Sequence, residues 1–340
     1  MSGLERADTK SISLKSEDIL CLSVVRNETL RLPFFLDYYR ERGVSHFLMV
    51  DNNSDDGTLD YLLAQPDTFV WHTRDSFKNK LSWLKELLAR YGRDRWCLIV
   101  DADEIFYYPG CEIRMMNDLC GQLERQGKNA LQAIMLDMYA ARPIREVKYR
   151  QGSDFLEACP YFDKKFYHHK EGLLNDYYWG GLRQRVFQDR ASESTSESKK
   201  LYCLTKFPLI KYNSTMQLYS EHMVRNIKTS STTGCLLHFK YLASFVDYVK
   251  QEVRRDEHWQ GAVEYKKYAR LLEEEGNLNL YDAHFSIALK NSQQLVEMGI
   301  MRRGNSDFLN EAIYDAKVRG MAVAKILFQK LRRHQTEHLG

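Results

Sequence analysis

The 340-residue sequence predicts an α/β protein: a mostly parallel sheet flanked by helices, followed by a helical C-terminal extension. Three observations carry that prediction. Short apolar runs alternate with segments whose apolar residues recur at helical spacing. The runs are apolar throughout, the pattern of strands buried on both faces. Three of them end in polar or acidic clusters, at residues 26–28, 51–56 and 101–104.

The elements follow in order. Residues 1–17 are polar and mixed in charge, and read as a poorly ordered leader. "ILCLSVV", from Ile19, is the first buried strand. "LPFFLDYYRERG" is a helix with Pro33 near its start and Gly43 just past its end. "HFLMV" is the second strand, followed by the polar loop "DNNSDDG", the short helix "TLDYLLAQ" and a weak strand at "TFVWH". "KNKLSWLKELLARYG" is a helix with Leu81, Leu84, Leu87, Leu88 and Tyr91 on one face and Gly92 as its stop. "WCLIV" and "LQAIMLDMYA" are two more strands, the latter ending at Asp137.

Such alternation means parallel βαβ units in a sheet covered on both faces. Ligands of these sheets bind outside the carboxyl ends of the strands. Beyond Asp137 the rhythm is lost: residues 138–240 are rich in aromatic and charged residues without clear period. They include "YYWGGLRQRVF" and the hydrophilic "ASESTSESKK", an expected exposed loop. From Tyr241 onward helical patterns dominate, ending in a long stretch from Ser306. The expected organisation is a leader at 1–17, a catalytic domain at 18–240 and a helical region at 241–340.

Composition narrows the function classes. With 44% hydrophobic and 28% charged residues the chain reads as soluble and globular. Lys and Arg number 49 against 46 acidic residues, so no strong field points to nucleic acid as a partner. Seven cysteines, scattered without CxxC spacing, argue against a disulfide framework or a structural zinc site. The N-terminus has no apolar core for a signal peptide, and no apolar run reaches about 18 residues, so a cytoplasmic protein is expected.

The stretch "WCLIVDADEIF" places Asp101, Asp103 and Glu104 at a strand end. Carboxylates so close repel one another unless a cation sits between them. A hard divalent ion takes oxygen ligands, and magnesium typically uses one or two carboxylates together with phosphate oxygens and water. A D-x-D triplet by itself is common in solvated loops and helix caps. Its position after a buried strand, beside two other polar strand ends, favours metal binding here, with the ion neutralising a diphosphate leaving group. The loop "VDNNSDDGT" can likewise be ordinary turn and cap chemistry. Asp51 and Asn53, together with Arg26, Asn27 and Glu28 after the first strand, instead outline a nucleotide pocket. Arg183, Arg185 and Lys206 suit a diphosphate or an anionic acceptor, or are surface charge, and Lys80 at a helix start could face the phosphates.

"VVRNETLRLPFFLDYYRERGVSHFLMVDNNSDDGT" and "WCLIVDADE" resemble the glycosyltransferase family 2-like proteins of the GT-A fold, in the bacterial branch with R-N-E and D-A-D-E motifs. The similarity extends over "GGLRQRVF", "KFPLIKY" and "LLHFKYL", from about Ile19 to the helix after Tyr241. The resemblance implies a Rossmann-like nucleotide-sugar-binding sheet. Asn27, Glu28 and Asp51 would lie near base and ribose, and Asp101 and Asp103 would hold Mg2+ or Mn2+. A downstream histidine would join the metal, His238 first and His222 second. The family's acidic pair followed by Gln-x-x-Arg-Trp is not found, which leaves the general base to Asp137 or Glu104.

The expected activity is therefore metal-dependent transfer of a sugar, with inversion, from a nucleoside diphosphate donor, expected to be uridine-linked. The acceptor would be a surface glycan, lipopolysaccharide or a lipid-linked sugar. A nucleotidyltransferase would show a Gly-rich basic loop after the first strand, and "VVRNETLRLP" has no glycine. The alternative from another class is a non-catalytic nucleotide-sugar or glycan-binding protein on the same fold. Lys325, Lys330, Arg332 and Arg333 on the last helix could rest on an anionic membrane face, or that helix packs on the domain or on a second subunit.

Overall fold

A computed structural model of the chain describes residues 3–165, 167–171, 176–187, 203–257 and 259–304. The expected C-terminal helix with its basic residues and the "ASESTSESKK" loop lie outside the described residues. β1 (Glu5–Arg6) is followed by β2 (Ile19–Val25), α1 (Leu32–Arg40), β3 (Val44–Asp51), α2 (Thr58–Leu63), β4 (Thr68–His72) and α3 (Lys80–Leu87). Next come β5 (Trp96–Ile99), β6 (Glu104–Tyr107), α4 (Met116–Arg125) and β7 (Ala130–Asp137). The second half contributes α5 (Phe155–Ala158), β8 (Tyr161–Asp163), the hairpin strands β9 (Tyr167–Lys170) and β10 (Tyr177–Gly180), and α6 (Gly181–Phe187). It continues with β11 (Thr205–Lys211), β12 (Gln217–Leu218), β13 (Val224–Arg225), β14 (Thr229–His238), α7 (Phe245–Arg255), α8 (Trp259–Glu274), β15 (Ser286–Ala288) and α9 (Ser292–Glu297).

The fold is α/β, as the alternation predicts. Nine strands form the central sheet in the order β1-β4-β3-β2-β5-β11-β7-β14-β6. β4, β3, β2 and β5 are parallel neighbours, and β14 lies parallel to β7. β11 runs against both β5 and β7, so six strands share one direction and β1, β11 and β6 oppose it.

The continuous apolar runs are explained by packing on both faces. Along β2, Ile19, Cys21 and Val25 enter a core shared with α1 and α4. Leu20, Leu22 and Val24 enter the opposite core, where α3 supplies Trp83, Leu84 and Leu87. Each such side chain contributes about 1.5–3 kcal/mol through burial. α3 is rotated relative to the expected face: Trp83 and Lys80 are buried, whereas Leu81 and Tyr91 are half-buried. The helix gives way after Leu87 to a wider π-type turn, which shifts the residues that follow.

Two expectations are corrected. The leader is fastened to the sheet rather than loose: Glu5 and Arg6 pair with His72 and Trp71, the Arg6 guanidinium sits 4.6 Å from the Trp71 ring, and Asp8 accepts the Val70 N–H at 2.6 Å. These contacts cover the edge of β4, which would otherwise expose unpaired backbone. A packing boundary at 240 is also absent, because Tyr139, Leu182 and Phe187 share one core with Tyr241, Phe245 and Tyr268.

Residues 138–240, where no period is visible, supply two interior strands. In β11, Pro208 lacks the N–H a ladder needs, and the pairing with β7 shifts register between Lys206 and Leu209. In β14, Gly234 is required by close approach: a Cβ there would lie 2.6 Å from the Phe106 ring and 2.7 Å from the Tyr107 carbonyl. The shared direction brings the C-terminal ends of β2, β3, β5, β7 and β14 to one edge. β6 and β11, running oppositely, begin at that edge with Glu104 and Thr205–Lys206.

A candidate active site at the sheet edge

At this edge lies a cavity of about 1250 Å3, walled on its far side by α7 and α8. The turn after β5 sets its floor. The Glu104 N–H donates to the Asp101 carbonyl at 3.0 Å, and the Asp101 N–H donates to the Glu104 carboxylate at 2.9 Å. Both Glu104 oxygens also accept from Lys206 Nζ, at 2.6 and 2.8 Å, and the pair is sealed from solvent. Glu104 thus closes the turn. Asp101 and Asp103 are left facing the cavity.

Asp101 accepts from Lys80 Nζ at 2.8 Å, with Lys206 Nζ at 3.7 Å. Burial pushes its carboxyl upward, but the two ammonium groups outweigh that and hold it at about 2. Lys80 also meets Glu221 at 2.8 Å. Burial works against the charge on Lys80 and Lys206, yet their carboxylate partners keep both pKa values above the ordinary lysine value.

Asp103 faces His238, with Nε2 3.3 Å from Oδ2. Behind His238, its Nδ1 lies 2.7 Å from Asp137 Oδ1, and Arg183 Nε donates to Asp137 Oδ2 at 2.9 Å. Burial disfavours a charged imidazole, but the two flanking carboxylates raise His238 to about 9. Asp137, buried, is held at about 2 because Arg183 and His238 outweigh its desolvation. The relay continues through Arg183 to Glu264 at 3.6 Å, and Lys240 Nζ reaches the same carboxylate at 3.5 Å.

Glu28 stands on the cavity wall and accepts from Arg31 Nη1 at 3.0 Å. Burial pushes it up to about 7, with Asp103 and Asp101 adding to the rise and Arg31 opposing it. Glu28 is thus a wall carboxylate poised near neutrality. His222 also lines the cavity, with Nδ1 3.1 Å from the Thr205 carbonyl. Burial and the nearby Lys206 charge lower it to about 4, so it is neutral where His238 is charged.

The structure therefore brings Arg26, Asn27, Glu28, Lys80, Asp101, Asp103, Glu104, Arg183 and His238 to one cavity. Arg26 donates to the Asn52 carbonyl at 3.0 Å, and Asn27, at φ 56°, accepts the Asp55 N–H, so both also fix the loop after β3. Lys206 and Asp137 stand one layer behind the wall. Asp51, Asn53 and Arg185 do not line the cavity. Asp51 is fully buried against His72 at 3.0 Å and the Ser54 N–H, while Asn53 is exposed in a left-handed turn at φ 56°. Arg185 forms a two-pronged ion pair with Asp163 and donates to the Leu280 carbonyl.

Of the further charged residues that line the cavity, four bear on the carboxylates described: Arg31, Lys240, Glu221 and Glu264. Arg31 follows Glu28 by one helical turn, and Lys240 follows His238 by two residues, so both were within motifs already picked out. Glu221 and Glu264 carry no local signal and reach the site only through long-range packing.

A divalent ion needs several oxygen or nitrogen donors around one point. Asp103 Oδ2 and His238 Nε2, 3.3 Å apart, stand a few tenths of an ångström wider than two adjacent ligands around an octahedral ion with bonds of roughly 2.0–2.1 Å, so a small approach would let both ligate. Among the described residues, no three His, Cys, Asp or Glu side chains are gathered to hold an ion as they stand. Asp101 carries Lys80 on Oδ1, and its Oδ2 lies 3.7 Å from Lys206 Nζ. The residues fit an ion that arrives with further ligands of its own.

No family model matches this chain, and no curated protein matches it. Among solved structures, a protein assigned as a glucose-1-phosphate thymidylyltransferase from Bacillus anthracis, in complex with a sucrose, is similar with a TM-score of 0.26 and 8% identity. That likeness covers 40% of this chain and 64%, less than two thirds, of the other. A 4-diphosphocytidyl-2C-methyl-D-erythritol synthase is similar with a TM-score of 0.26 and 13% identity, over 85% of this chain and 99% of that one. Among the described residues, no helix is long and apolar enough to cross a membrane.

Proposed function

We propose that the chain is a metal-dependent glycosyltransferase that moves a sugar from a nucleoside diphosphate donor to a hydroxyl of a glycan or lipid-linked acceptor. The observation that carries the reading is the pair Asp103–His238, backed by Asp137, opening with Asp101 into a large cavity at the carboxyl edge of the sheet.

Asp103, His238 and Asp101 would hold Mg2+ or Mn2+. The ion, when bound, supplies positive charge against the departing diphosphate. Asp137 accepts a hydrogen bond from His238 Nδ1–H, and would keep Nε2 aimed at the ion once that nitrogen has given up its proton, an orienting role typical of carboxylates behind ligating histidines. Were Asp101 to turn to such an ion, Lys80 would keep Glu221 and could offer its remaining N–H to a phosphate oxygen, with Arg31 and Lys240 as further cations on the same wall. A nearly neutral site of paired charges would accept the anionic donor best with its own cation.

In the transfer, the acceptor oxygen attacks the anomeric carbon, the bond to the diphosphate oxygen breaks, and the hydroxyl proton passes to a base. Asp137 and Glu104 are poor candidates, since both oxygens of each are taken by ion pairs in a buried layer. Glu28 is the better choice: only Oε2 is bonded, and a pKa near 7 matches a base working at neutral pH.

The test is release of nucleoside diphosphate from a panel of nucleotide sugars, with manganese or with EDTA, in wild type and Asp103→Ala. Manganese-dependent release from one donor, abolished in the variant, is expected. The hold of Lys80 on Asp101 favours a second reading, a nucleotide-sugar-binding protein without turnover. Tight binding of a donor with no release in any condition would establish that one instead.

A further inference from the structure

The β9–β10 hairpin borders the cavity and has no part in the chemistry above. Its strands pair antiparallel, with Tyr177 opposite Lys170, Tyr178 opposite His169 and Trp179 opposite His168. Side chains alternate along a strand, so Tyr177, Trp179 and His168 share one face. The Trp179 and His168 rings stack at 5.4 Å with 20° between their planes, and Tyr177 lies 5.8 Å from Trp179. His168 is exposed and the two larger rings are half-buried, and Tyr177 also lines the cavity. The aromatic row is therefore continuous with the proposed donor site.

It is also held in register with the acids. The Tyr178 N–H donates to Thr205 Oγ1 at 2.8 Å, the Leu204 N–H donates to the Tyr178 carbonyl at 2.9 Å, and Trp179 bridges to Cys203. One residue beyond Thr205, Lys206 grips Glu104 on the acidic turn.

We infer that the Tyr177–Trp179–His168 face binds a pyranose ring of the acceptor glycan and presents it at the cavity mouth. This rests on the glycosyltransferase reading for the word acceptor, though not for the sugar. A pyranose has a flat C–H face and a rim of hydroxyls. Large rigid rings match the C–H face with much contact area and little entropy to lose, while the Lys170 ammonium, opposite Tyr177, offers a polar group to the rim.

The test needs no nucleotide. Saturation-transfer NMR is run with methyl glucoside, methyl galactoside, methyl N-acetylglucosaminide and their β-linked disaccharides as probes. Transfer from aromatic protons to sugar C–H protons is expected in wild type. It should weaken about tenfold in Trp179→Ala, consistent with the ~0.5–1.5 kcal/mol of an aromatic contact plus lost burial, and recover in Trp179→Phe. If Trp179→Ala does not fold, Tyr177→Ala is expected to show the same loss. Adding EDTA should leave the signal unchanged, so that failure of the metal-dependent donor site and failure of the aromatic face are read separately. No transfer to any probe, or transfer undiminished in the folded variant, overturns the inference.

Discussion

Asp103 and Glu104 are adjacent on one turn, yet Asp103 keeps 20% of its side chain exposed to the cavity and Glu104 keeps 2%. The contrast extends through the site. An inner layer, Glu104–Lys206 and Asp137–Arg183, is buried and paired, and holds the edge of the sheet together. An outer layer, Asp101, Asp103, Glu28 and Lys80, faces the cavity with partners it can exchange. Similar carboxylates thus serve as scaffold or as chemistry according to how completely their partners enclose them. The separation can be broken by mutation, because damage to the inner layer should appear as lost stability and damage to the outer layer as lost function.

The largest effect on folding is expected for Glu104→Ala, which strands the Lys206 ammonium in a dry site. Removing one member of a buried ion pair costs about 3–5 kcal/mol. Denaturant unfolding should show it, and a loss below about 1 kcal/mol would erase the distinction between layers. Asp103→Ala should do the reverse: donor turnover falls about a hundredfold or more, while unfolding free energy changes by no more than about 1 kcal/mol. A variant equally impaired in both would place Asp103 in the scaffold.

Glu28 gives a pH-dependent version of the comparison in the metal-free protein. Unfolded, it ionises near 4.5, and folded, near 7. Between those values the folded state binds the extra proton, so this residue makes stability fall as pH rises from about 4.5 to about 7. Glu28→Gln should therefore gain stability over wild type at pH 8 and show no such gain below pH 4.5. Melting curves across that range check the sign. The smallest effect belongs to Asn53→Gly: glycine tolerates the left-handed backbone, and the side chain touches neither layer. Stability within about 0.5 kcal/mol and unchanged donor turnover are expected.

Much of this was visible in the chain, for definite reasons. β2, β3 and β5 are buried on both faces, so their apolar runs carry no polar interruptions and read directly as strands. β11 does not read so, because it carries Lys206 inward to Glu104 and breaks its ladder at Pro208. That Asp101 and Asp103 face one cavity was legible from their place at a strand end, whereas His238 was reached only through the family resemblance. Asp51 and Arg185 lie off the cavity wall, and a polar residue at a strand or turn looks the same in sequence whether it faces a ligand or closes a buried pair. The Asp137–His238–Asp103 relay joins β7, β14 and the turn after β5, and no spacing along the chain announces that meeting.

The most direct test of the central claim is calorimetric titration of UDP into the protein with manganese and with EDTA, using wild type, Asp103→Ala and Arg185→Lys. The account predicts manganese-dependent binding in wild type and Arg185→Lys, lost in Asp103→Ala. Binding of equal affinity in EDTA, or retained by Asp103→Ala, would contradict a metal–diphosphate site at this edge.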